Sequence, residues 1–182
     1  MSETDTSPHA VIEFWKQAGP KYWFAKDEAF DKRFRETFYT AHFKAAKREL
    51  EPWLSEAESA LALLLLLDQY PRNAFRGTAH MFATDPLARF YAHQVIEAGH
   101  DQQIDMALRG FCYLPFEHSE DPNDQRLSLQ LHEQLEPKDT RWAKEHADII
   151  ERFGRFPHRN AVLGRVSSEQ ELRFLNEGGF AG

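Results

Sequence analysis

Apolar positions recur along this chain with the period of amphipathic helices. Leu87, Phe90, Tyr91 and Val95 fall at i, i+3, i+4 and i+8, and Trp142, His146, Ile149, Ile150 and Phe153 at i, i+4, i+7, i+8 and i+11, so each set makes one stripe. No stretch alternates as a half-buried strand would. Start signals agree with the stripes. Ser55-Glu56-Ala57-Glu58 and Ser168-Glu169-Gln170-Glu171 have the form of capping boxes, and Asp85-Pro86 and Asp121-Pro122 set an acidic N-cap before a proline at the first helical position. Gly99, Gly154 and the prolines at 71, 115, 137 and 157 close apolar segments. Together these signals predict helices near 8–18, 27–48, 55–70, 85–98, 102–113, 122–136, 140–153 and 168–176. The expectation is an all-α fold: a single domain over residues 8–176 of about eight antiparallel helices, with a disordered tail at 1–7 and a flexible one at 177–182.

Composition narrows the class. At 182 residues and 42% hydrophobic, with fifteen Phe, five Tyr and four Trp, the chain suits one ring-rich core. Its most apolar run, Leu61 to Leu67, is seven residues long, whereas a membrane span needs about 20, so it reads as a core helix and no membrane partner is expected. The lone Cys112 excludes an intrachain disulfide framework and a cysteine-rich zinc site, and points to a reducing compartment. The polar, acidic opening is unlike a leader peptide, so a cytoplasmic location is expected. A net charge of −7 argues against nucleic acid as a partner, which calls for a broad basic face. Any anion site is local.

Two segments read almost alike: Tyr70-Pro71-Arg72-Asn73-Ala74 and Phe156-Pro157-His158-Arg159-Asn160-Ala161, each where a helix is expected to end. The regions around them hold Arg72, Arg76, Arg152, Arg155, Arg159 and Arg165 without a lysine. Arginine is the residue for planar, bidentate contact with carboxylate or phosphate. Pairing with the chain's own twenty-nine acids is the structural alternative. Asp68 follows seven apolar residues near an expected helix C-terminus, where the helix dipole disfavours an anion. A cation is expected to compensate it, and Arg72 stands at i+4. A third element, Tyr113-Leu114-Pro115-Phe116-Glu117-His118-Ser119-Glu120-Asp121, crowds rings and proton-transfer groups into a turn. There His118 with Glu120 or Asp121 could form an acid–base pair, although Asp121 is also well explained as an N-cap. No His-Glu-x-x-His, Gly-x-Ser-x-Gly or Gly-rich phosphate loop is present, so neither metal nor cofactor is expected.

The segments from Leu67 to Asn73 and on to Ala88, from Tyr113 to Asp121, and from Phe153 to Asn160 resemble, in order, the motifs of the bacterial family catalogued as domain of unknown function 924. The resemblance covers about residues 8–176 and implies a tetratricopeptide-like helical fold, but no reaction. Asp68, Arg72, Asn73, His118, Ser119, Glu120, Asp121, Arg155, His158, Arg159 and Asn160 match its pattern, while Tyr70 stands where Phe is usual and Glu117 where an apolar residue is commoner. Two functions follow as expectations. In the first, the three segments form a polar pocket for a small phosphate- or carboxylate-bearing ligand, held by Arg72, Asn73, Arg155, His158, Arg159 and Asn160, with Asp68, His118 and Glu120 moving protons if it is turned over. In the second, the motifs are structural and a helical surface binds a peptide or protein partner.

Overall fold

A run such as Leu61–Leu67 offers no polar face to solvent, so it must thread the interior. A computed structural model describes residues 7–136 and 139–182, and all seven of these side chains are 0–1% exposed in it. Secondary structure among the described residues is helical, with no strand. The helices group into two compact units: the chain up to Arg76 with His80–Pro115, and Gly77–Ala79 with Phe116–Gly182. Residues 1–6, most of the expected N-terminal tail, and Pro137, expected as a helix stop, lie outside the described residues. Among the described residues no helix is long and apolar enough to cross a membrane.

In the first unit, α1 (Pro8–Ala18) starts where Ser7 Oγ accepts the Ala10 amide at 3.2 Å. The chain reverses through Gly19, whose φ of 69° suits a residue without Cβ, into α2 (Pro20–Trp23). Asp27 caps α3 (Glu28–Ala46) by accepting Phe30 N–H at 2.8 Å. α3 bends at Phe38, one residue after Thr37 returns its hydroxyl to the Arg33 carbonyl at 2.7 Å, a back-bond that bends helices. Next come α4 (Ala57–Leu64), a π-helical turn (Leu65–Gln69) and α5 (Tyr70–Ala74), which follow without a break. α4 packs on α1 and on α6 (Asp85–Glu97), and α5 packs on α3. Phe14, Trp15, Phe30 and Phe34 fill the space between with ring centroids 5.1 to 6.2 Å apart.

Three local expectations are corrected here. Ser55 caps nothing: it closes a 3-10 turn, Glu51–Ser55, by donating to the Pro52 carbonyl at 2.9 Å, and α4 starts after Glu56 without a side-chain cap. The helix expected at 102–113 breaks into 3-10 turns around α7 (Met106–Arg109). Its polar residues satisfy other partners: Asp105 accepts the Ala107 amide at 2.8 Å and Asp101 accepts the Tyr113 hydroxyl at 2.8 Å. Finally, Thr84 rather than Asp85 occupies the N-cap position of α6.

The chain enters the second unit within α8 (Leu114–Glu117). Asp121 caps α9 (Pro122–Leu135) as expected, accepting Asn123 N–H at 2.8 Å. α10 (Arg141–Phe153) packs along α9 and stops at Gly154, whose φ of 70° is the left-handed cap that glycine adopts most easily. Ser168 and Glu171 form the expected capping box of α11 (Glu169–Asn176). Ile149, Ile150 and Phe156 make the core, with Phe153, Phe174 and Phe180 packed against it. Phe180 belongs to the segment expected as a flexible tail; its ring lies 4.6 Å from that of His146.

Candidate functional site

Pro71 cannot donate a hydrogen bond, and in a regular helix its ring would press on the carbonyl four residues back, that of Leu67. The chain answers with the π turn rather than by ending the helix. The Tyr70 amide reaches back to the Leu65 carbonyl, and side chains serve the next three: His42 Nδ1 lies 2.8 Å from the Leu66 oxygen, Thr84 Oγ1 donates to Leu67 at 2.5 Å, and Arg72 donates to Asp68 at 2.7 Å. The first Pro-Arg-Asn motif is therefore helical, with Pro71 and Asn73 buried, and not the exposed loop that its proline suggests. π turns of this kind occur often at functional sites.

Asp68 is 1% exposed. It accepts from Gln69 Nε2 at 2.7 Å and lies 3.4 Å from Arg72, the i+4 pair that the spacing predicts. The stronger partner of Arg72 was not legible in the sequence. Its two terminal nitrogens donate to both oxygens of Asp85 at 2.8 and 2.9 Å, so the residue read as an N-cap closes a guanidinium–carboxylate fork instead. Burial works against the Arg72 charge, but Asp68 and Asp85 outweigh it and hold the guanidinium ionised above its ordinary range. Asn73 donates to Asp31 at 2.7 Å, and Arg76 grips the same carboxylate at 2.5 Å. His42 Nε2 faces His80 Nε2 at 2.9 Å, and its ring stacks on Tyr70 at 4.8 Å.

The other two motifs lie in the second unit. Arg165 is the hub there. It grips both oxygens of Glu120 at 2.7 and 2.9 Å, and also reaches the Phe156 carbonyl at 3.0 Å and Asn160 Oδ1 at 2.9 Å. Burial disfavours the Glu120 charge, yet Arg165, the Phe156 amide and the nearby Arg159 together hold its carboxyl below the usual range. A carboxylate so engaged is a poor proton acceptor near neutrality. Arg155 forms a second fork, with Glu171 at 2.6 and 2.8 Å, which draws that carboxyl down to about 2. Arg159 is buried over the Phe156 ring at 4.5 Å and donates to the His118 carbonyl at 2.9 Å. Asn160, fully buried, also donates to Ser167 at 3.1 Å, and His158 stands between Phe156 and Phe180 at 5.7 and 5.2 Å. Ser119 donates to Asp124 at 2.6 Å, and Gln125 braces the same turn through the carbonyls of Glu117 and Ser119 at 2.7 and 2.6 Å.

One cluster escaped the sequence reading. Buried Glu117 lies 3.1 Å from His132 Nε2 and 3.5 Å from His146 Nδ1, and the His118 ring is 6.3 Å from that of His146. Its only sequence signal was a glutamate where an apolar residue is commoner; His146 was hidden in the apolar stripe of α10. No group of three or more His, Cys, Asp or Glu among the described residues is placed to hold a metal ion. Burial pushes the Cys112 thiol up to about 12, which keeps it protonated and a poor nucleophile.

The described side chains thus gather the family-pattern residues into ion-pair and hydrogen-bond networks within each unit, with Asp68, Arg72 and Asn73 in the first and Glu120, Arg155, Arg159 and Asn160 in the second. No curated protein matches the chain. Among solved structures it is similar to a protein of unknown function from Agrobacterium tumefaciens, ATU0120, with 55% sequence identity and a TM-score of 0.91, covering 94% of this chain and 97% of that one. A model described as bacterial protein of unknown function (DUF924) matches residues 11–179, and the chain belongs to that family.

Proposed function

We propose that this protein is an interaction module, a tetratricopeptide-like helical scaffold that grips a peptide or protein partner in the cytoplasm, with its arginine–asparagine motifs serving to lock helix ends. What supports this reading is that three arginine forks are filled from within: Arg72 by Asp85, Arg155 by Glu171 and Arg165 by Glu120. A free phosphate or carboxylate compound would have to displace a tethered carboxylate and leave it without its cation. For that reason a small-anion pocket built on Arg72, Asn73, Arg155, His158, Arg159 and Asn160, with Asp68, His118 and Glu120 as proton carriers, is the less favoured reading.

The test is selection of a displayed random-peptide library on the intact protein, beside unfolding midpoints in phosphate, sulfate and citrate at fixed ionic strength. The expected result is a recurring peptide pattern that binds saturably, with midpoints that show no saturable rise in these anions over chloride, only the gradual one that excluded anions give any protein. A saturable rise with one of the anions, and no enriched peptide, overturns the proposal.

A further inference from the structure

The cations of this protein are unevenly used. Six of its lysines, Lys16, Lys21, Lys26, Lys32, Lys44 and Lys47, fall between residues 16 and 47. Residues 8–50 hold nine Lys and Arg against six Asp and Glu, a balance of +3 in a chain whose total is −7. Arg33, Thr37, Thr40, Lys44 and Lys47 fall at i, i+4, i+7, i+11 and i+14, so they share one face of α3 and its C-cap. Shallow grooves flank the Phe38 bend along this face, one beside Lys32, Arg33 and Glu36, the other beside Tyr39, Phe43, Lys44 and Lys47. Among the described residues Arg33, Lys44 and Lys47 make no ion pair, in contrast to the filled forks of the motifs. Arg33 is steadied instead over the Phe14 ring at 5.3 Å, and half-exposed Tyr39 leans on Phe43 with centroids 4.8 Å apart.

Resting on the interaction-module reading, we infer that this face of α3 docks an acidic segment of a partner protein. Its carboxylates meet Arg33, Lys44 and Lys47, and an apolar side chain seats against Tyr39 and Phe43. At 19 residues α3 is about 28 Å long, the span of about eight residues of extended chain. Glu36 and Glu49 stand among the cations. They oppose the continuous charge of a nucleic acid, but fit a segment in which acidic and neutral residues alternate. Two adjoining rings are too small an apolar area to hold a membrane surface.

Fluorescence anisotropy tests this with a labelled peptide that alternates glutamate with leucine, its glutamine counterpart, a single-stranded oligonucleotide, and phosphatidylserine vesicles assayed by co-sedimentation. The glutamate peptide is expected to bind saturably, to weaken about tenfold or more in Lys44→Glu/Lys47→Glu and in added salt, and to be unaffected by Lys144→Glu on α10. Tyr39→Ala, at an exposed ring, is expected to weaken it without moving the unfolding midpoint, which separates lost docking from lost folding. Equal binding of the glutamine peptide, or an unchanged affinity in the double variant, overturns the α3 site. So does tighter binding of the oligonucleotide or the vesicles. If library-selected peptides still bind the double variant, the module reading stands and only this site fails; if no peptide binds at all, both fail.

Discussion

Acid should weaken the first unit through His42. The ring is fully buried, and burial, partly offset by the Leu66 carbonyl and reinforced by His80, lowers its pKa from 6.5 to about 4. With Nδ1–H given to Leu66, a second proton would have to enter at Nε2, 2.9 Å from His80. The sign follows from linkage. Between pH 6.5 and 4 the unfolded chain binds this proton and the folded one does not, so the stabilisation is complete above pH 6.5 and drains away as pH falls towards 4. At about 1.4 kcal/mol per tenfold, the whole window is worth about 3 kcal/mol. Urea unfolding followed by tryptophan fluorescence across this range measures it. His42→Asn keeps an N–H donor for Leu66 but cannot titrate, so the stability difference between wild type and variant should shrink by about 3 kcal/mol as pH falls. His132 is lowered in the same direction and, not being in contact with His42, cancels in that difference, whereas His80, 2.9 Å from the substituted ring, does not, so the same pair of curves is also taken in the His80→Gln background. Parallel pH curves for the two proteins would refute the assignment.

Three further outcomes follow. Arg72→Met removes the cation that Asp68 and Asp85 share and should cost about 3–5 kcal/mol by urea unfolding, as breaking a buried pair does; a cost under about 1 kcal/mol would mean the fork is not a lock. Thr84→Val leaves the Leu67 carbonyl beside Pro71 without its hydroxyl donor, so a loss of about 1–3 kcal/mol is expected from the same measurement. Gly154→Ala forces a Cβ into a left-handed cap and should lower stability by about 1 kcal/mol, with no contact in the way to blame, since nothing lies within 4 Å of the new carbon.

The helices were legible in the chain because stripes, caps and glycine stops are local signals. α1, α6, α9, α10 and α11 fall within a residue or so of where they were expected. What was not legible depends on partners far along the chain. Pro71 reads as a stop in isolation and becomes tolerable only because His42 and Thr84 serve the carbonyls that it disturbs. Asp85 reads as a cap until Arg72, thirteen residues earlier, is seen to take both its oxygens. In the second unit Arg165 was counted as one arginine among several, because nothing local marks it as the residue that ties Glu120, Phe156 and Asn160 together. Residue types showed that arginine forks would matter; only the fold shows which carboxylates fill them.

The central claim, that these forks are occupied from within and serve to lock the helices, is met most directly by arginine side-chain NMR during a phosphate titration at constant ionic strength. The Nε–H groups of Arg155 and Arg165 donate to Glu171 and Asn160, so their resonances should stay in place and slow to exchange up to millimolar phosphate. A saturable shift of either resonance would contradict the claim and restore the small-anion pocket.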